Sequence, residues 1–250
     1  MFARLFLLVS LCLISLTGCE PRQPKTYKVA IDPLWYPLDF MNKENNIIGF
    51  STELLTLIGT KEHLNLPIQN TNWDSLLQGL KLGTYPAVLT SLYPYSFNAS
   101  TYDFSDCYLP LGPVLVVASN STKTSLSDFK GKEIGALKNS SAVLLIEKDP
   151  EIFIRTYDKP YSLINDVLTG RIDGGLLPIL TAESFTRGSF VTQLKIVSPP
   201  LNDEGLRLIT LKGKYPDLIA RFDSGLKKAQ KKDDYEKLLS RWQLIQSISK

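Results

Sequence analysis

The residues best equipped for chemistry lie within residues 82–106, where an apolar run over residues 87–89 ends in Thr90, Ser91, Tyr93, Tyr95, Ser96 and Asn98. A strand that leaves the core into hydroxyls, rings and an amide, with no charge among them, can hydrogen-bond to and stack on a small molecule. A surface turn closed by Pro94 would use the same residue types. A second group follows an earlier strand: Asp32 stands close to Trp35, Tyr36 and Phe40 in a segment stiffened by Pro33 and Pro37. Metal and nucleophile chemistry lack their raw material. His63 is the single histidine, and two of the three cysteines, Cys12 and Cys19, sit at the extreme N-terminus. Cys107 is then left without a second cysteine, and one thiol with one histidine is too little for a metal site or a nucleophile pair, so no metal site and no cofactor is expected.

The elements that must position these groups alternate. Residues 27–31 read as a strand, Asn45 and Asn46 as a turn, and Ser51 as the N-cap of a helix carrying Leu54, Leu55, Leu57 and Ile58. A short strand near residues 66–69 follows. Asn72 caps a helix with Trp73, Leu76, Leu77 and Leu80 on one face, and Gly83 ends it. The alternation restarts after the Pro-broken apolar segment 108–119: a short helix over 125–130, then strands over 131–137, 152–157 and 172–177. The intervening helices are opened by Ser140 and Ser141 and built on Leu163, Ile164, Val167 and Leu168. A Pro-rich linker over 197–205 leads to a strand over 206–211 and two closing helices. Two α/β blocks, with one strand and two helices left to dock back on the first, predict two lobes joined by two crossings. The boundaries are 27–111 with 203–250 for the first lobe and 112–202 for the second.

The N-terminus reads as an export signal over 1–18: Arg4, then an apolar run too short to span a bilayer, then Leu16-Thr17-Gly18-Cys19. That tetrapeptide resembles the bacterial lipobox, which makes Cys19 the acylated first residue of the mature chain and residues 19–26 a tether. Lys and Arg number 28 against 25 acids, with no basic run, so no nucleic-acid partner is expected.

Taken in order, Val29-Ala30-Ile31-Asp32 with Trp35 and Pro37, Ile48-Gly49-Phe50, Trp73-Asp74-Ser75-Leu76, Asp103-Phe104-Ser105-Asp106, residues 126–132 with Ile134-Gly135, Gly170-Arg171-Ile172-Asp173, and Tyr235 with Trp242 resemble a solute-binding protein of an ABC importer. The family is that of the polar amino-acid binders, and its fold is the type II periplasmic-binding-protein fold. The resemblance implies an α/β chain of two mostly parallel sheets flanked by helices. It also implies a monomer, lipid-anchored in the periplasm, that delivers a small polar solute to an inner-membrane permease. It maps the solute's contacts onto Asp32, Trp35, Phe50, Thr90, Ser91, Leu92, Ser140 and Ser141, with Leu137 and Lys138 flanking, and makes Trp35 and Phe50 a ring sandwich.

The chain departs from that pattern at the charges. The arginine that would fork onto a solute α-carboxylate is Asn98, and the acid that would pair with the α-ammonium is Pro178. Tyr93 fills a place usually small, and Asn139 replaces a glycine. Losing both charge-assisted bonds weakens an amino acid's binding by roughly a hundredfold or more. Lys138, Arg187 or Arg207 would then have to replace a charge, or the solute is not a zwitterion. An enzymatic alternative, the cyclohexadienyl dehydratases of the same fold, needs a general acid, for which Asp32 and Glu183 are the candidates.

Overall fold

The computed structural model describes residues 23–35, 38 and 40–244. The expected signal over 1–18, residues 19–22 of the tether with Cys19, and Tyr36, Pro37 and Asp39 of the aromatic segment lie outside the described residues.

The chain begins with β1 (Lys25–Thr26), β2 (Val29–Ile31), α1 (Glu44–Glu62), β3 (Leu64–Asn65), β4 (Ile68–Asn70), α2 (Trp73–Leu82), β5 (Ala87–Thr90), α3 (Ser96–Ala99), β6 (Tyr102–Phe104) and β7 (Leu109–Pro110). It then passes into β8 (Pro113–Ala118), a 3₁₀ turn (Leu126–Phe129), β9 (Glu133–Leu137), α4 (Ser141–Ile146), β10 (Phe153–Tyr157), α5 (Pro160–Leu168), β11 (Gly174–Pro178), α6 (Ile179–Ser184) and β12 (Leu194–Ile196). It returns through β13 (Gly205–Leu211) and ends in α7 (Pro216–Lys231) and α8 (Asp234–Arg241).

Two large sheets result among the described residues, with orders β4-β2-β5-β13-β6 and β10-β9-β11-β8-β12; β7 pairs with β13 beside the first, and β1 and β3 form a separate parallel pair. In each, the strands joined by helices run parallel: β4, β2 and β5 in one, β10, β9 and β11 in the other. The strand that arrives from the other lobe runs antiparallel. Thus β13 opposes β5 and β6, and β8 opposes β11 and β12. A strand entering from the opposite end of the sheet cannot do otherwise.

Local chemistry explains most element ends. The Asn72 side chain accepts the Ser75 amide at 2.9 Å and starts α2, and Ser125 and Asp128 form a reciprocal capping box. His63 closes α1 in a left-handed conformation, its amide bonded to the Gly59 carbonyl, which matches its reading as a polar residue at a helix end. The start of α1 corrects the expectation of a turn at Asn45 and Asn46. Both lie inside the helix, and Ser51, expected to cap it, is a buried mid-helix residue bonded to the Tyr108 phenol at 3.0 Å. The closing residues dock on the first lobe, where the Trp242 ring occupies the space that a Cβ on Gly49 would fill, at 2.2 Å.

Candidate functional site

The carboxyl ends of the parallel strands converge. β5 ends at Thr90, and Ser91 and Tyr93 follow it; β9 ends at Leu137, β10 is followed by Asp158, and β11 ends at Pro178. Ser91, Tyr93, Leu137, Asp158 and Pro178 all line one cavity of about 500 Å³ between the two sheets. This is where an open α/β sheet receives a ligand. The first lobe adds Leu38, Phe40 and Met41, the second adds Pro160, Leu180 and Thr181, and the crossings add Leu111, Glu204 and Gly205.

Of the residues singled out in the sequence, Ser91, Tyr93, Leu137 and Pro178 meet on this wall. Asp32, Trp35 and Thr90 instead line an adjoining recess of about 10 Å³ that shares Ser91 with the cavity. There Asp32 accepts the Leu34 amide at 3.1 Å, and Trp35, 4% exposed, packs edge-on against Phe40 with its indole N–H buried. The Thr90 hydroxyl accepts the Leu92 amide at 3.2 Å, and the Leu92 side chain packs on the core. Asn98 donates its amide to the Tyr93 carbonyl at 2.8 Å and so braces the turn that carries Tyr93.

Phe50 is a correction. It is 0% exposed, stacked on Tyr108 and edge-on to Tyr235, and it does not reach the cavity. The cause is the early start of α1, which turns Ile47, Phe50, Ser51, Leu54, Leu55 and Ile58 onto one buried stripe. In this structure Trp35 and Phe50 therefore do not form a sandwich. Ser140 and Ser141 do not line the cavity either. The Ser140 hydroxyl donates to the Leu137 carbonyl at 2.7 Å, and the Ser141 hydroxyl donates to Glu204 Oε2 at 2.8 Å.

Electrostatically the wall is acidic. The charged residues lining it are Asp158, paired at its exposed edge with Lys138 at 2.9 Å, and Glu204. Arg207, 7% exposed, bonds Asp203 Oδ2 at 3.0 Å and the Ser105 carbonyl at 3.3 Å. Asp203 also accepts the Tyr93 hydroxyl, and that hydrogen bond, with burial, pushes the phenol up to about 12. Arg187 lies 3.6 Å from Glu183, whose carboxyl burial holds above its ordinary range against the pull of Arg187 and Lys43. Asp32 and Glu183, the two general-acid candidates, both lie off the main cavity wall. Among the described residues no cluster of three or more His, Cys, Asp or Glu is arranged to hold a metal.

Sequence reasoning missed Asp158, Leu180, Thr181 and Glu204. Leu180 and Thr181 sit on α6, six residues long and too short to show a helical period. Glu204 hides in the Pro-rich linker, where no local period marks the residue that faces the cavity.

Two lobes, each a mixed sheet with flanking helices, joined by two crossings over a shared cavity, define the type II periplasmic-binding-protein fold. The chain belongs to the bacterial extracellular solute-binding proteins, family 3, whose pattern matches residues 27–245. It is 25% identical over 248 residues to the arginine-binding extracellular protein ArtP of Bacillus subtilis, covering 95% of this chain and 96% of that one. It is also 25% identical to the arginine-binding periplasmic protein of Mannheimia haemolytica, over 91% and 95% of the two chains. Among solved structures, the unliganded open L-cystine solute receptor of Neisseria gonorrhoeae shares the fold with a TM-score of 0.70 at 22% identity, over 87% of this chain and 92% of that one. The second substrate-binding domain of Lactococcus lactis GlnP, in its open conformation, gives 0.69 at 17% identity, over 93% and 100%.

Proposed function

We propose that this protein is the solute-binding component of an ABC importer, a non-enzymatic receptor that captures a small polar solute, an amino acid or a derivative of one, between its lobes. It is held at the membrane by lipid on Cys19 after removal of residues 1–18, works in the periplasm as a monomer, and hands its solute to a permease. The observation that carries this reading is the cavity of about 500 Å³ walled by strand ends of both sheets and by both crossings, a size that encloses a metabolite. Relatives named for binding arginine support the solute class. Ser91 and Tyr93 are the polar contacts of the first lobe, while Leu137, Pro178 and Thr181 are contacts of the second.

A thermal-shift screen against amino acids, their derivatives, short peptides and organic acids tests it. A ligand at about a hundred times its Kd stabilises the fold by about 2.7 kcal/mol, which the melting temperature reports. Silence across the screen, or turnover of a cyclohexadienyl acid to an aromatic product, overturns the reading.

A further inference from the structure

The receptor reading leaves open which solute the cavity takes, and the inference that follows rests on that reading. The cavity wall carries two acids and, among the described residues, no lysine or arginine. Each cation that could have replaced the expected arginine is engaged with an acid: Lys138 with Asp158 at 2.9 Å, Arg187 with Glu183 at 3.6 Å, Arg207 with Asp203 at 3.0 Å.

The two acids are not equivalent. Asp158 is at the rim, its side chain 74% exposed and neutralised by Lys138. Glu204 is half-buried, and among the described residues it has no cation within ion-pair distance. Its contacts are with neutral groups: Oε2 takes the Ser141 hydroxyl at 2.8 Å, and the Asn202 amide, at 3.1 Å from that same hydroxyl, completes the cluster.

Ser141 opens α4 just behind the cavity wall, and its hydroxyl is one of the two that the family resemblance assigns to a solute carboxylate. Here Glu204 already takes it, and the neighbouring Ser140 hydroxyl is turned back to the Leu137 carbonyl. The protein's own carboxylate therefore holds the bond that a solute carboxylate would seek. A solute bringing a second carboxylate would find a like charge where it needs a donor. A cation would find an acid without a counter-ion in a partly dehydrated cleft, where charge-assisted bonds are strong.

We propose that the cavity selects an organic cation without a carboxylate, an amine or guanidinium on an apolar stem. The head binds the Glu204 carboxylate, and the stem lies against Leu111, Leu137, Pro178 and Leu180. The positions of Asn98 and Pro178 fit the same solute, since neither an α-carboxylate nor an α-ammonium beside it has to be met.

Calorimetric titration of the mature chain with two matched pairs tests this: arginine against agmatine, and lysine against cadaverine, with glutamine as a neutral zwitterion. The decarboxylated member of at least one pair should bind tenfold or more tightly than its parent. Glu204→Gln should lower amine affinity about ten- to hundredfold, and Glu204→Asp, which keeps the charge, should recover part of it. The inference is overturned if in neither pair the amine binds tenfold more tightly than its parent, or if glutamine binds and the amines do not. Either result leaves the receptor reading standing, because a solute is bound. Binding by none of the five overturns the inference too, while the receptor reading falls only if the wider screen also finds nothing.

Discussion

The Leu111 amide donates to the Glu204 carbonyl at 2.8 Å, so the segment leaving the first lobe and the segment returning to it are hydrogen-bonded side by side. The Leu201 amide adds a second tie to the Pro113 carbonyl at 2.9 Å. Both crossings thus bend as one ribbon, and both contribute to the cavity wall through Leu111 and Glu204. Motion of one lobe against the other is thereby linked to the shape of the site.

Gly112 sits in that ribbon. A Cβ there would lie 2.3 Å from Asn202 Oδ1 and 2.9 Å from the Asn202 carbonyl, so the crossings approach closely only because the residue is glycine. Gly112→Ala is expected to lower stability by about 1–3 kcal/mol in urea denaturation and to weaken solute binding. Unchanged values for both would show that the ribbon has slack.

Phe50 acts through packing. Phe50→Ala should cost about 3–5 kcal/mol of stability, while Phe50→Leu, which keeps an apolar side chain on the stripe, should leave solute affinity unchanged. A loss of affinity in a folded Phe50→Leu protein, read by calorimetry, would put this ring back at the cleft.

Tyr108 joins α1 to the crossing side of the first lobe. Its hydroxyl pairs with Ser51 at 3.0 Å, and its carbonyl accepts the Tyr235 hydroxyl at 2.8 Å. Complete burial drives its phenol well above the ordinary tyrosine range. Tyr108→Phe leaves Ser51 without its partner and should cost about 1–3 kcal/mol in urea denaturation. A variant as stable as the parent would mean that Ser51 finds another hydrogen-bond partner.

Asp223 sets a pH dependence. Half-buried on α7, it accepts the Asp106 amide at 2.8 Å, and burial pushes its carboxyl up to about 6. A carboxyl whose folded value exceeds its unfolded one holds its proton more tightly when folded. Its contribution to stability is therefore complete below about pH 4 and is lost as the pH rises through about 6. Asp223→Asn should flatten the decline in urea midpoint over that window, by about 1 kcal/mol or less because the group is partly solvated. Parallel profiles for the two proteins would contradict this.

The fold was legible where one residue type has one physical use. Asn72 before the Trp73 stripe and Gly83 after it each predicted the helix end that is found, and the uncharged polar exit of β5 leads onto the cavity wall at Ser91 and Tyr93. The repeated alternation predicted two sheets. What misled was Asn45 and Asn46, whose turn propensity is outweighed by the buried stripe from Ile47 to Ile58, a period that was visible in the sequence and would have moved Phe50 into the core. The cavity's acids were hidden for a different reason. No local pattern tells which residues of a linker such as 197–205 face the opposite lobe, because the pairing that aims Glu204 is made with Leu111 and Ser141, both distant in sequence.

Capture between the lobes is tested most directly by a distance across the cleft. Phe97 follows the β5 exit and Tyr161 follows the β10 exit, and both are exposed, at 69% and 63%. Spin labels on Phe97→Cys and Tyr161→Cys, in a mature chain with its native cysteines replaced by serine, report their separation by pulsed electron resonance. Saturating solute should shorten and narrow the distance distribution, and a bulky Ser91→Trp substitution in the cavity should abolish both the binding and the shortening. Solute that binds at full affinity with the distance unchanged, or that still binds the cavity-filled variant, would contradict the account.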